Sequence, residues 1–232
     1  MKHARSTNNN PKCDLPEAKR IVIVDDHPLF RKGLEQLINS ESSFAICAEA
    51  GNASEAMEVI REMNPDLAIV DLSLPGANGI ELIKNIRAEF RQMPILVLSM
   101  HDESLYALRA LRAGADGYVM KHEAMANVIV AIHEVFNGRP YLSPAMAAQV
   151  ITKFAHRQAE GEADAVERLS DRELEILELI GKGHDVRQIA KQLHLSPKTV
   201  ETHRSHIKDK LDLKNSREVA RFALQWLSTR NA

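Results

Sequence analysis

The 232-residue sequence predicts a doubly wound α/β domain, a five-stranded parallel sheet in the order 2-1-3-4-5, followed by a smaller all-α domain of four helices. Three observations carry that reading. Short runs that are apolar at every position, such as residues 21–24, 67–70 and 95–98, alternate with amphipathic stretches, as expected of strands covered on both faces by crossover helices. From about residue 166 the apolar spacing is helical throughout. The charge also splits there. Residues 167–232 carry 13 Lys+Arg against 10 Asp+Glu, and the chain totals of 30 and 32 leave 17 against 22 for residues 1–166. An acidic first part and a basic last part point to two jobs, the second involving a polyanion.

The elements follow in order. Ile21-Val22-Ile23-Val24 is the first strand and ends at Asp25-Asp26; Pro28, suited to a first helical turn, opens a helix to about residue 40. Residues 44–50 are the second strand. Asn52, with Glu55 three residues on, resembles a capping box, and Asn64-Pro65 ends the helix it opens. The third strand, 67–71, stops at Asp71 before a turn through Pro75, Gly76, Asn78 and Gly79, and a helix follows over 79–91. Pro94 precedes the fourth strand, which ends at Ser99. A helix over 103–112 is closed by Gly114, a fifth strand over 115–120 reaches Lys121, and a last helix over 123–136 is closed by Asn137-Gly138. Right-handed crossovers place strands one and three side by side where the strand order reverses.

Four regions result. Residues 1–19, rich in Asn, Lys, Arg and Pro, read as a disordered tail with no secretion signal. Residues 20–138 hold the α/β pattern. Residues 139–165 read as a linker with a helical piece over 144–156 and a polar tract, Gln158-Ala159-Glu160-Gly161-Glu162-Ala163-Asp164, and residues 166–231 form the second domain. No apolar run approaches the roughly 20 residues that cross a bilayer. Cys13 and Cys47 lack metal-ligand spacing, so a reduced cytoplasmic protein without membrane insertion is expected.

In a parallel sheet the strand ends share one edge, which gathers Asp25, Asp26, Asp71, Ser99 and Lys121. Taken singly each has an ordinary explanation: Asp opens turns and caps helices, and a strand-end Lys is solvated. Together they make a site. Three crowded carboxylates repel unless a cation joins them, and a hard divalent ion with oxygen ligands, Mg²⁺ in this reading, relieves that. An Asp carboxylate can then attack a phosphoryl group, with Lys121 sharing the developing charge and Ser99 contacting a phosphoryl oxygen.

Residues 20–138 resemble the receiver domain of two-component response regulators, the CheY-like fold. The matching stretches are Val24-Asp25-Asp26-His27, Val70-Asp71-Leu72-Ser73-Leu74-Pro75-Gly76, Leu98-Ser99-Met100 and Gly114-Ala115-Asp116-Gly117-Tyr118-Val119-Met120-Lys121. The resemblance implies that Asp71 is the phosphoacceptor and that Asp25, Asp26, Asp71 and the Ser73 carbonyl hold Mg²⁺. It also implies that Ser99 and Tyr118 report phosphorylation by moving inward together. Ser73 and His101 resemble positions that tune dephosphorylation. His122 stands where many receivers carry Pro, a departure from the pattern that leaves the peptide after Lys121 without an expected isomer.

In the last domain Ser170 with Glu173 is another capping box, and Ser196 as N-cap with Pro197 fixes the start of the third helix. Wound at 3.6 residues per turn, that helix puts Val200, Ile207 and Leu211 on a core-facing stripe and Lys198, Glu201, Thr202, Ser205 and Asp209 opposite. Arg204, Lys208, Lys210 and Lys214 flank it. A short helix, a brief turn and a second helix with a polar outer face make a helix-turn-helix able to enter a major groove; a helical packing module with a solvated face fits the same count. His203 and His206 sit three apart, but no further ligand of suitable spacing accompanies them, which argues against zinc. The final helix, opened by Asn215 and Glu218, carries Val219, Phe222, Ala223, Trp226 and Leu227, a stripe wider than one small domain covers.

Residues 167–230 resemble the LuxR-type helix-turn-helix of NarL/FixJ response regulators. The match rests on Leu169-Ser170-x-Arg172-Glu173, Ile189-Ala190, Leu195-Ser196-Pro197-Lys198-Thr199-Val200-Glu201-Thr202-His203 and Ile207-x-x-Lys210-Leu211. The resemblance implies that Glu201, Thr202 and Ser205 read bases and that Lys198, Thr199, His203, Arg204, Lys208 and Lys210 contact the DNA backbone. Part of the last stripe (Val219, Phe222, Ala223, Trp226) is implied as a dimer contact. The whole chain then reads as a transcription regulator and not an enzyme beyond its own phosphoryl chemistry. Its expected partners are a sensor histidine kinase, promoter DNA, RNA polymerase and, on phosphorylation, a second copy. Two rivals stand beside it. A Mg²⁺-dependent aspartyl phosphatase would want a second Asp where Ser73 stands, and a phosphorylation-dependent scaffold would bind protein through its helices.

Overall fold

The computed structural model describes residues 18–155 and 165–229, so the expected tail as far as residue 17 and the polar tract over 158–164 lie outside the described residues. The chain divides after residue 154 into two compact units. Among the described residues no helix is long and apolar enough to cross a membrane.

The first unit runs β1 (Lys19–Val24), α1 (Pro28–Ser40), β2 (Phe44–Ala50), α2 (Ala53–Met63), β3 (Leu67–Asp71), β4 (Ser73–Leu74), β5 (Ala77–Asn78), α3 (Gly79–Glu89), β6 (Ile95–Ser99), α4 (Glu103–Ala113), β7 (Gly117–Met120), α5 (Ala124–Phe136) and α6 (Pro144–Ala155). Its sheet is ordered β2-β1-β3-β6-β7 with every pair parallel, which is the expected 2-1-3-4-5 arrangement of the five long strands. The turn expected through Pro75 and Gly76 is a two-rung antiparallel hairpin of Ser73–Leu74 and Ala77–Asn78, with Gly76 at φ 72°.

Local chemistry explains the boundaries. Pro28 occupies the first turn of α1. Asn52 caps α2 by accepting from the Glu55 amide at 3.0 Å, while the Glu55 carboxylate accepts from the Gly51 amide at 2.7 Å, one residue before the position a capping box uses. Asn64 ends α2 in the left-handed region at φ 42°, and Gly114 ends α4 at φ 110°. Asn78 and Asp102 cap α3 and α4 through the amides of Ile80 and Ser104, both at 2.8 Å.

The strands are buried on both faces. Ile21 and Ile23 join Leu34, Ile38, Ile69, Leu98, Val128 and Ile132 in one cluster under α1 and α5. The alternate residues Val22, Val24, Ala68, Val70 and Val97 are equally buried and point the other way, where α2, α3 and α4 pack side by side. Beyond α5, Tyr141 pairs with Gly117 as a parallel bridge: its amide donates to the Asp116 carbonyl at 3.1 Å and its carbonyl accepts from the Tyr118 amide at 2.8 Å. The first part of the expected linker is therefore tied to the sheet edge at β7.

The second unit holds a 3-10 turn at Ala165–Arg168, then α7 (Asp171–Gly181), α8 (Val186–Gln192), α9 (Pro197–Lys210) and α10 (Ser216–Ser228). The expected capping box of Ser170 and Glu173 is present, and Asp185 with Gln188 forms a second at the start of α8. Ser196 caps α9 through the Thr199 amide at 3.0 Å, with Pro197 beside it. Leu174, Leu177, Ile189, Val200, Ile207, Val219 and Ala223 form the core.

Gly79, at the start of α3, lies so close to the end of β3 that an added Cβ would stand 2.5 Å from Leu72 Cα. Gly79→Ala must therefore push the Asp71–Leu72 backbone aside. Urea denaturation is expected to show a loss of about 1–3 kcal/mol, the usual cost of overpacking; a neutral substitution would mean that the strand end yields freely.

Candidate functional site

Register builds the site. Val24 pairs with Val70, Asp71 with Leu98 and Ser99 with Met120, so Asp25, Asp71, Ser99 and Lys121 all leave the sheet at one edge. Lys121 Nζ donates to Asp71 Oδ2 at 2.6 Å and lies 2.7 Å from Asp25 Oδ2. All three groups are buried, and the ammonium also stands 4.9 Å from the centre of the Phe30 ring. Burial pushes the Asp71 carboxyl up, with Lys121 pulling it down and Asp25 adding to the rise. For Lys121 burial works the other way, but the two carboxylates outweigh it and hold the ammonium above its ordinary value.

Asp26, partly exposed, completes the cluster. His27 Nδ1 lies 2.6 Å from Asp26 Oδ1, yet that oxygen is buried without a well-directed hydrogen bond. Asp25 Oδ1 accepts from the His27 amide at 2.7 Å. Asp25, Asp26, His27 and Asp71 each bring a ligand atom, all within 4.8 Å of one another. One ammonium cannot neutralise three carboxylates, and an under-satisfied buried oxygen among hard oxygen donors fits a divalent ion of the Mg²⁺ class.

Ser73 and Ser99 sit above this pocket. The Ser73 amide donates to Asp71 Oδ1 at 3.1 Å, and Ser73 Oγ lies 2.9 Å from His101 Nε2. Ser99, fully buried, accepts from the His101 amide at 3.0 Å. Tyr118 donates its hydroxyl to the His101 carbonyl at 2.8 Å, and burial raises that phenol well above its usual range. The Tyr118 ring is already inside the protein. No cis peptide occurs among the described residues, the one after Lys121 included.

Two residues that frame the site escaped the sequence reading. Arg31 Nη1 donates to the Asp25 carbonyl, and its Nε reaches buried Glu49 at 3.0 Å. A carboxylate inside the apolar run of β2 was the available signal, because a buried charge needs a partner.

In the second unit α8, a tight turn through His194 at φ 52°, and α9 make the helix-turn-helix. Lys198, Glu201, Thr202 and Ser205 are exposed together, with Glu201 paired to Arg204 at 3.1 Å; Thr199 Oγ1 is 2.8 Å from the capping Ser196, and Lys208 is half-buried. Two of the expected backbone contacts are engaged inside the unit. His203 turns towards α7, and Lys210 Nζ donates to Glu173 Oε2 at 2.6 Å. The expected dimer stripe also needs correcting. Val219, Ala223 and Trp226 are buried, because α10 lies against α7 so closely that a Cβ on Gly181 would stand 2.7 Å from the Ala223 carbonyl oxygen. Phe222 is half-buried, and Leu224 is the exposed large apolar residue of α10.

Family models agree with this division. Residues 21–133 match the response regulator receiver domain and residues 167–223 match the bacterial regulatory proteins of the luxR family. The oxygen regulatory protein NreC of Staphylococcus haemolyticus is 36% identical over 210 residues, covering 89% of this chain and 97% of that protein. The chain belongs to the NarL/FixJ-type response regulators. Among solved members of the group, a LuxR-family response regulator from Aurantimonas is 40% identical, with a TM-score of 0.56 over 60% of this chain and 99% of that one. RcsB of Salmonella enterica serovar Typhimurium, solved bound to the promoter P1flhDC in the presence of the phosphomimetic BeF3-, is 25% identical, with a TM-score of 0.58 over 88% of this chain and 98% of that one. As a response regulator the protein is a two-component transcription factor with a receiver and a DNA-binding LuxR-type domain.

Lys121→Met leaves Asp25 and Asp71 buried against each other. Chemical denaturation without divalent ions is expected to show a loss of about 3–5 kcal/mol, the cost of stripping one partner from a buried ion pair. Magnesium should return part of it; a loss indifferent to magnesium would contradict the shared-cation reading.

Proposed function

We propose that this response regulator accepts a phosphoryl group on Asp71 from a sensor histidine kinase, and that phosphorylation shifts it towards a dimer that binds promoter DNA. The observation that supports this best is the buried Lys121 shared by Asp25 and Asp71 at 2.7 and 2.6 Å. Asp25, Asp26, Asp71 and the Ser73 carbonyl would hold Mg²⁺, which when bound offsets negative charge on the transferring group.

In the reaction an Asp71 oxygen bonds to phosphorus as the bond from phosphorus to the donor histidine breaks, and the departing imidazole keeps the electron pair and takes up a proton. Lys121 moves with the charge, from the carboxylates to the new phosphoryl oxygens. Ser99 turns its hydroxyl to the same group. Tyr118 is already buried, so the change passes through the His101 peptide, which both Ser99 and Tyr118 hold at 3.0 and 2.8 Å. The altered β6–β7 edge then biases a dimer of cytoplasmic regulators. Lys198, Thr199, Arg204 and Lys208 contact phosphates, and Glu201, Thr202 and Ser205 read base edges. RNA polymerase is the further partner. Of the α10 stripe only Phe222 and its neighbours are left for a dimer contact.

Treatment with a small acyl phosphate and magnesium should add one phosphoryl group, slow the protein on a phosphate-affinity gel and raise promoter affinity at least about tenfold. Asp71→Asn should abolish both effects, and a chelator should abolish the first. A phosphorylated protein that binds DNA no better than Asp71→Asn would refute the coupling. A second measurement bears on Ser73 and His101, whose 2.9 Å contact lies over Asp71. His101→Ala should open the pocket to water and shorten the phospho-form lifetime severalfold; an unchanged lifetime would remove His101 from the chemistry.

A further inference from the structure

The second unit carries a histidine-and-carboxylate cluster that the DNA-binding role leaves unused. His203 and His206 lie one turn apart on α9, and Glu173 comes from the first turn of α7, thirty positions upstream of His203. Each brings a ligand atom, all within 4.8 Å of one another. No spacing rule reads that third ligand from sequence, which is why the two histidines alone argued against zinc.

The cluster is held in place. Glu173 is buried, and its Oε2 accepts from the Ser170 amide at 2.7 Å and from Lys210 Nζ at 2.6 Å. Its other oxygen, Oε1, faces His206 Nδ1 at 3.6 Å, too far for a hydrogen bond. His203 Nδ1 is buried and has no hydrogen-bond partner among the described residues. An unmatched buried nitrogen costs about 1–3 kcal/mol, and a metal ligand is one of the few roles that repays it. The rings stand nearly perpendicular, 6.3 Å apart, and the His206 side chain is 54% exposed, so the cluster opens to solvent.

We infer that Glu173, His203 and His206 form a binding site for a divalent ion of the zinc class, with solvent as the fourth ligand. Bonds of about 2.0–2.2 Å at tetrahedral angles place ligand atoms roughly 3.4 Å apart. The Glu173–His206 separation of 3.6 Å nearly meets that spacing, and a small rotation of either imidazole closes the rest. Imidazole nitrogen favours zinc, nickel or copper over magnesium, so the site is chemically distinct from the receiver's oxygen cluster. An ion there clamps the first turn of α7 to the middle of α9, the helix that also carries Glu201, Thr202 and Ser205, with Thr202 one turn before His206. It also takes His203 away from the DNA backbone. The site does not depend on phosphorylation of Asp71.

The test uses the untagged full-length chain with magnesium in excess. Zinc is followed by equilibrium dialysis, cobalt by its visible absorption, which reports tetrahedral nitrogen and oxygen ligation, and thermal unfolding is recorded with and without zinc. One strong zinc site per chain is expected, with a cobalt band and an upward shift in melting of the second unit. His206→Gln, a change at an exposed position that leaves the Ser170–Glu173 cap intact, should weaken zinc at least about tenfold and remove both signatures. His203→Gln should do the same; if it fails to fold, His206→Gln alone decides. No zinc binding, affinity unchanged in His206→Gln, or binding that disappears instead in Asp26→Asn would each overturn the site.

Discussion

Everything at the sheet edge depends on one ammonium lodged between two buried carboxylates. Lys121 reaches Asp25 and Asp71 only because β1, β3, β6 and β7 run in unbroken register there, with Val24 beside Val70 and Leu98 beside both Asp71 and Val119. A slip of one residue would turn each of these side chains to the opposite face. The apolar pattern of the strands prevents such a slip, since it would drive Ile21 and Ile23 out of their cluster with Leu34 and Ile38. The one register shift of the long sheet lies between β1 and β2, at Ile21/Val22, on the side of β1 away from Asp71. Hydrophobic packing thus positions charges that packing alone would exclude.

The charge balance at this edge is uneven. Two buried carboxylates and one ammonium leave an excess negative charge, and Asp26 adds another at the rim. Burial and Asp25 both resist ionisation of Asp71, while Lys121 opposes them. Burial pushes the Asp71 carboxyl up, and the contacts that oppose the rise come from Lys121 and the Ser73 amide and not from water. Arg31 belongs to the same frame: by holding the Asp25 carbonyl and Glu49 together it fixes the peptide from which Asp25 and Asp26 project.

How much of this was legible follows from the range of each interaction. Strand runs, N-caps such as Asn52 and Ser196, and the helix starts at Pro28 and Pro197 are local, and they stand where the sequence put them. Ser99 and Lys121 were legible for a different reason: parallel strands of similar length must end at a common edge. The misses all need a partner from elsewhere in the chain. Trp226, Ala223 and Val219 look like a surplus apolar stripe until Gly181 lets α10 approach α7 closely enough to bury them. Lys210 and His203 look like phosphate contacts until Glu173 is found beneath them. Tyr141 looks like linker until its peptide groups pair with Asp116 and Tyr118. Helical periodicity tells which face is apolar, not what covers it.

The hydrogen bonds above Asp71 limit the routes by which a change there can spread. The Ser73 amide holds Asp71, the Ser73 hydroxyl meets His101, and the His101 peptide is bonded on one side to Ser99 and on the other to Tyr118. The bonds converge on His101, whose side chain meets Ser73, whose amide is held by Ser99 and whose carbonyl is held by Tyr118. That peptide leads directly into α4, capped by Asp102, whose first residue, Glu103, accepts from the Ser143 amide at 2.9 Å just before α6. Tyr118 reaches the same segment through the Tyr141 carbonyl at 2.8 Å. Two separate contacts therefore join this network to the segment that leaves the sheet, one from Glu103, two residues beyond His101, and one from Tyr118, which holds the His101 carbonyl. Ser99 acts on the His101 amide and Tyr118 on the His101 carbonyl, so the two buried hydroxyls meet at one residue, and the next residue, Asp102, caps α4.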